Sequence, residues 1–80
     1  MKTITLDDCI ELREKFLKYC NTAEQHEFAL LAITNVKLDG TIERIKSNGM
    51  ISQKEARAMF RVCLGLIGED CSEYQEDEQE

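Results

Sequence analysis

Proline and tryptophan are absent from this chain of 80 residues, glycine occurs four times and histidine once. With no proline, the few glycines are the main punctuation, and the chain reads as helix. No run approaches the ~20 apolar residues of a membrane-spanning helix, so a membrane partner is not expected. The opening Met1-Lys2-Thr3-Ile4-Thr5-Leu6-Asp7-Asp8 lacks the apolar centre of a secretory signal, and the expected location is cytoplasmic. Phosphate-loop, dinucleotide-binding and zinc-protease motifs are all missing. No Cys-x-x-Cys pair occurs, and His26 has no cysteine at zinc-ligand spacing, so neither a metal nor a cofactor is expected.

Catalysis is poorly provided for. His26 is the single side chain with an ordinary pKa near neutrality. No Ser, Cys or Asp stands at a spacing that suggests a triad around it. The carboxylate pairs Asp7-Asp8 and Glu24/Glu27 suit helix N-termini for dipole reasons alone. No catalytic residue is assigned, and the chain is read as non-enzymatic. Cys9 and Cys20 fall on one helix face about 16 Å apart, too far for a disulfide or a shared ion. Cys9, Cys20 and Cys63 are read as core residues and Cys71 as exposed.

What is present is charge at one end. Seven of the twelve residues 69–80 are acidic and none is basic, whereas residues 1–68 hold ten Lys/Arg against nine Asp/Glu. The formal net charge of −6 therefore belongs to the tail. Blocks of like charge stay solvated and often act as interaction segments, so disorder is expected from about Ser72 onward. The division is a helical domain at 1–68 and an acidic tail at 69–80.

Capping signals predict an all-α bundle of three helices, or four if Gly40 divides the second. Thr5 with Asp7 and Asp8 starts a helix over roughly 5–20, carrying Leu6, Cys9, Ile10, Phe16, Leu17 and Cys20. Thr22-Ala23-Glu24-Gln25 reads as a capping box opening a second helix over about 23–48. Its seam is Phe28, Leu31, Leu38, Ile42 and Ile45, with Asn35 as a polar break and a bend expected at Gly40. Gly49 reads as a left-handed C-terminal stop, and Ser52-Gln53-Lys54-Glu55 as a second capping box starting a helix over 53–67. Residues 42–55 resemble the helical-hairpin segments of oligomerising bacterial accessory domains, which supports the hairpin alone.

Residues 58–67 and 28–33 are apolar on more sides than a small bundle buries. Phe60, Leu64 and Ile67 share one side of the third helix, and Val62 and Leu66 another. Leu30 and Ile33 are likewise displaced from the seam of the second helix. Leu30, Ile33, Val62 and Leu66 are therefore the expected apolar contact residues, for a homodimer or a foreign protein.

Lys54, Arg57 and Arg61 form a basic stripe, supported by Lys37, Arg44 and Lys46 on the preceding segment. A cationic helix after a glycine turn invites comparison with helix-turn-helix proteins. Polar Lys54 and Glu55 stand where that motif needs apolar residues, and the tail competes with phosphate, so nucleic acid is the less favoured partner. The stripe is otherwise read as solvated, or neutralised by the tail. The favoured expectation is a small helical protein that binds another protein, an inhibitor or regulator of the profile often encoded by phages and mobile elements. Lys54, Arg57, Arg61, Glu73, Glu76, Asp77 and Glu78 are its expected charged contacts, with the acidic group steering toward a basic surface. A DNA-binding regulator using the third helix is the alternative.

Overall fold

The computed structural model describes residues 3–75, and Glu76, Asp77 and Glu78 lie outside them. It is a small all-α bundle of three helices: α1 (Leu6–Thr22), α2 (Phe28–Asn48) and α3 (Gln53–Leu66). Two short 3₁₀ turns, Gln25–Glu27 and Ser72–Tyr74, complete the described chain.

The ends of the helices follow local chemistry. At the start of α1 the Asp8 N–H donates to the Thr5 hydroxyl at 3.2 Å, and the Thr5 N–H donates to the Asp8 carboxylate at 3.0 Å. Both orphan donors are thereby satisfied within one capping box. Gly49 closes α2 in the left-handed region, at φ 73°, where a side chain would be strained. Ser52 caps α3 by accepting from Glu55 N–H at 3.3 Å. The expected return bond is missing, because the Glu55 carboxylate instead accepts from Arg44 at 3.1 Å. At the far end, Gly68 N–H bonds Gly65 carbonyl and Glu69 N–H bonds Leu64 carbonyl, a Schellman closure with Gly68 at φ 77°.

The capping box expected at Thr22 is not formed. Helix α1 continues through Thr22, whose hydroxyl donates back to the Tyr19 carbonyl at 3.0 Å. A threonine in a last helical turn has a free carbonyl within reach, and that bond competes with forward capping. Helix α2 consequently begins at Phe28 rather than near 23, after the 3₁₀ turn. It then runs unbroken through Gly40 to Asn48, and packing sustains it across the glycine.

Helices α1 and α2 make the most extensive contact in the bundle. Tyr19 bonds Glu27 at 3.0 Å and Arg13 pairs with Asp39 at 3.2 Å, so the second index rises as the first falls and the two run antiparallel. The core of this hairpin is Leu12 and Phe16 from α1 against Leu31, Leu38, Ile42 and Ile45 from α2. Thr34, not Asn35, occupies the polar position of the seam; it is buried with its hydroxyl donating to the Leu30 carbonyl at 2.9 Å. Phe28 is half exposed because it is the first residue of α2, ahead of the packed part. Leu17 is also exposed, and Leu12 replaces it in the core.

Helix α3 adds Ala56, Phe60, Cys63 and Leu64 to this core. The N-terminus folds back to meet it: Ile4 is fully buried, and the Gln53 side chain bonds both the N–H and the carbonyl of Ile4. The molecule measures 38 × 32 × 17 Å. Measured between Cα atoms, 17 Å is about the depth of two packed helix layers, whose axes lie about 8–10 Å apart.

Candidate interaction surfaces

Helices α2 and α3 touch less than any other helix pair in the bundle, and an open groove of about 640 Å³ separates them. The α2 wall carries Leu30, Ile33 and Thr34, then Lys37, Gly40 and Thr41; the α3 wall carries Ala58, Met59 and Val62. Gly40 and Ala58 are too small to fill the space between the helices. Leu30, Ile33 and Val62 stand 54%, 56% and 54% exposed along it. At one end Arg44 bridges Glu55 at 3.1 Å and Thr41 at 3.2 Å, a link between two half-exposed side chains that contributes at most about 1 kcal/mol. Lys37 has no ion pair among the described residues.

Three of the four expected apolar contact residues, Leu30, Ile33 and Val62, therefore line one groove. Leu66 does not. It is half buried beside an adjoining hollow with Tyr19, His26 and Gly65, and Leu30 borders both recesses.

The basic stripe on α3 is not a uniform solvated face. Lys54 is exposed, but Arg57 is only 9% exposed. Its Nη2 donates to the carbonyls of Glu73 and Gln75 at 3.4 and 3.2 Å, and Arg61 Nη1 donates to the Tyr74 carbonyl at 2.7 Å. The Tyr74 ring lies against Phe60, with centroids 4.8 Å apart and planes at 41°. Residues 71–75 thus form a strap across α3, and disorder beginning at Ser72 is corrected for these residues. The reason is one aromatic side chain: burying Tyr74 on Phe60 offsets the cost of ordering the neighbouring acids. Cys71, expected to be exposed, is half buried against the core in the same strap. The tail meets the stripe, as one reading anticipated, but through backbone carbonyls in every one of these bonds.

Between the strap and α1 lies a hollow of about 210 Å³ bordered by Asp8, Glu11, Glu69, Asp70 and Glu73. Lys15 is its one basic residue, 3.6 Å from Glu69. Asp70 is held below the usual carboxylate range by hydrogen bonds from Ser72. Strap and helix together give this side of the molecule a continuous acidic character.

The remaining reactive groups are dispersed. His26 is exposed between the carboxylates of Glu24 and Glu27, at 3.7 and 3.9 Å. Cys9 and Cys63 are buried, and burial pushes both thiols up, Cys63 to about 11. Such thiols stay protonated and are poor nucleophiles. Cys20 is half buried rather than in the core, and its thiol is also raised by burial. Among the described residues, no group of three His, Cys, Asp or Glu side chains is placed to hold a metal ion. No described helix is long and apolar enough to cross a membrane.

No family model, curated protein or solved structure matches the chain.

Sequence spacing found three residues of the groove but missed the strap. Its signal was available in Tyr74, the single aromatic residue within the acidic segment. An aromatic side chain in an otherwise charged run has little reason to remain in water.

Proposed function

We propose that this chain is a small, non-enzymatic interaction protein that binds another protein through the groove between α2 and α3. It acts as an inhibitor or regulator of the kind that phages and mobile elements encode. The observation that carries this reading is the groove itself, with Leu30, Ile33 and Val62 each more than half exposed on its walls. Fully burying such a side chain contributes about 1.5–3 kcal/mol, and covering the half still exposed supplies roughly half of that for each of the three, without any polar contact. The acidic side formed by Asp8, Glu11, Glu69, Asp70 and Glu73 adds steering toward a basic partner surface.

Pairing of two copies across the groove is a second reading, favoured by the exposure of Leu30, Ile33 and Val62 on one open face. A duplex-binding role for α3 is less favoured, because Arg57 and Arg61 already donate to the strap and only Lys54 of the stripe is exposed.

The test uses Ile33→Glu and Val62→Glu. Proteins retained from a host lysate by the wild type are identified, purified and titrated against wild type and both variants. The reading expects both variants to stay folded and to lose at least about tenfold in affinity, roughly 1.4 kcal/mol. Unchanged affinity for every retained partner sinks the assignment of the groove.

A further inference from the structure

Among the described residues, the buried Arg57 has no counter-charge. The side chain is 9% exposed, forms no ion pair with any described carboxylate, and bonds two neutral carbonyls through Nη2. Its Nη1 is buried with no hydrogen-bond partner. Removing a guanidinium from water against neutral acceptors, with one terminal NH2 group left open, is costly. The present occupant of this face therefore does not match it fully.

The mode of contact is that of a receptor and a peptide. Three successive carbonyls, those of Glu73, Tyr74 and Gln75, accept from two arginines, while the aromatic ring of Tyr74 rests on Phe60. Backbone groups and one aromatic side chain make these contacts, and the side chains of Glu73 and Gln75 stay exposed. A segment of different sequence but the same form meets the same donors. The strap is also loaded against itself. Glu69, Asp70 and Glu73 share the hollow with Asp8 and Glu11, and Lys15 is the one cation among them. Like charges gathered around one hollow repel one another, which favours a strap that exchanges.

We propose that the face of α3 formed by Arg57, Phe60 and Arg61 is a binding site for a short acidic peptide carrying an aromatic residue, and that residues 71–75 occupy it as a self-ligand. The ligand enters when the strap leaves, and the charge of Arg57 selects anionic segments over neutral ones.

The full-length chain carrying Tyr74→Ala tests this, with fluorescence anisotropy of a labelled peptide of residues 69–80 bearing Cys71→Ser. In the wild type the peptide competes with a tethered strap whose effective concentration is on the order of millimolar, so micromolar peptide stays free. The variant is expected to bind it at least about tenfold more tightly than the wild type. Adding Arg61→Gln, or scrambling the peptide so that its tyrosine stands at one end, should weaken that binding again. Equal, weak binding by folded wild type and folded variant overturns the proposal. Unfolding of the variant by circular dichroism overturns it too, since Tyr74 is then core and not part of an exchangeable strap. Salt-sensitive binding of a short DNA duplex in place of the peptide reassigns the face to nucleic acid.

Discussion

Gln53 holds the backbone of Ile4 with both ends of its amide, accepting from the N–H and donating to the carbonyl at 2.9 Å each. The pair joins the first described residues to the first turn of α3, 49 positions away. It seats Ile4 in the core and spares its N–H and carbonyl from being buried unsatisfied.

Replacing Gln53 with Ala should therefore cost about 1–3 kcal/mol, because two hydrogen bonds go and a partly buried N–H and carbonyl lose their partners. Chemical denaturation measures it. A loss well under 1 kcal/mol means that water takes over both bonds and that the N-terminal arm is not held by Gln53.

Ser52→Ala removes the one side-chain acceptor at the start of α3 and should cost about 1 kcal/mol. The reciprocal half of the box is absent, so Glu55→Gln should change stability far less. Similar losses in the two variants contradict the cap geometry.

Gly40 offers an opposite outcome. A methyl group added there meets no atom within 4 Å, and α2 is continuous through the position. Gly40→Ala should raise stability by about 0.5–1 kcal/mol through helix propensity. The same methyl projects into the groove wall, so a partner seated there should bind more weakly. Gain of stability with loss of binding is the expected combination; a thermal melt and a titration check it.

Alkaline pH should destabilise the fold through Cys63. Its thiol is raised from the usual 9.0 to about 11 in the folded state by burial. Below pH 9 both states hold the proton and there is no effect. Between pH 9 and 11 the unfolded thiol ionises while the folded one does not, so unfolding becomes easier by up to roughly 2–3 kcal/mol. Denaturation midpoints at pH 8 and 10.5 for wild type and Cys63→Ala isolate this share. An identical alkaline slope in both proteins rules it out.

Self-association is decided by sedimentation. A homodimer formed through the groove at micromolar Kd is mostly assembled at ~100 μM. Val62→Glu should then give a smaller, folded species, with stability changed by no more than about 0.5 kcal/mol because the position is exposed. A monomeric wild type at ~100 μM leaves the groove to a foreign partner.

Local chemistry made much of this molecule legible in advance. The caps at Thr5 and Ser52, the stop at Gly49 and the seam of Leu31, Leu38, Ile42 and Ile45 are properties of residues within a turn or two of one another. Their energies do not depend on what lies across the bundle. The displacement of Leu30, Ile33 and Val62 from the core faces followed from helical spacing in the same way. The apolar excess read for residues 58–67 is narrower in the structure: Phe60, Cys63 and Leu64 are buried, Ala58, Met59, Leu66 and Ile67 are half buried, and Val62 alone of the apolar side chains stands exposed.

Tertiary structure decided what local rules left open. Thr22 satisfied the capping pattern, yet α1 persisted through it and its hydroxyl turned backward. Leu66 shared a helix side with Val62, but the place where Leu30 meets α3 put it in a neighbouring hollow. Arg57 and Tyr74 are the clearest cases. The tyrosine in its acidic run read as solvated, and the cationic stripe as solvated or met by the tail, because no short-range pattern decides between the two. Closure of the chain at Gly68 lays residues 71–75 across α3, and only then do Phe60 and the two guanidinium groups give Tyr74 a place to be buried. Interactions across thirteen to eighteen positions depend on where the helices have already packed, and periodicity carries no record of that.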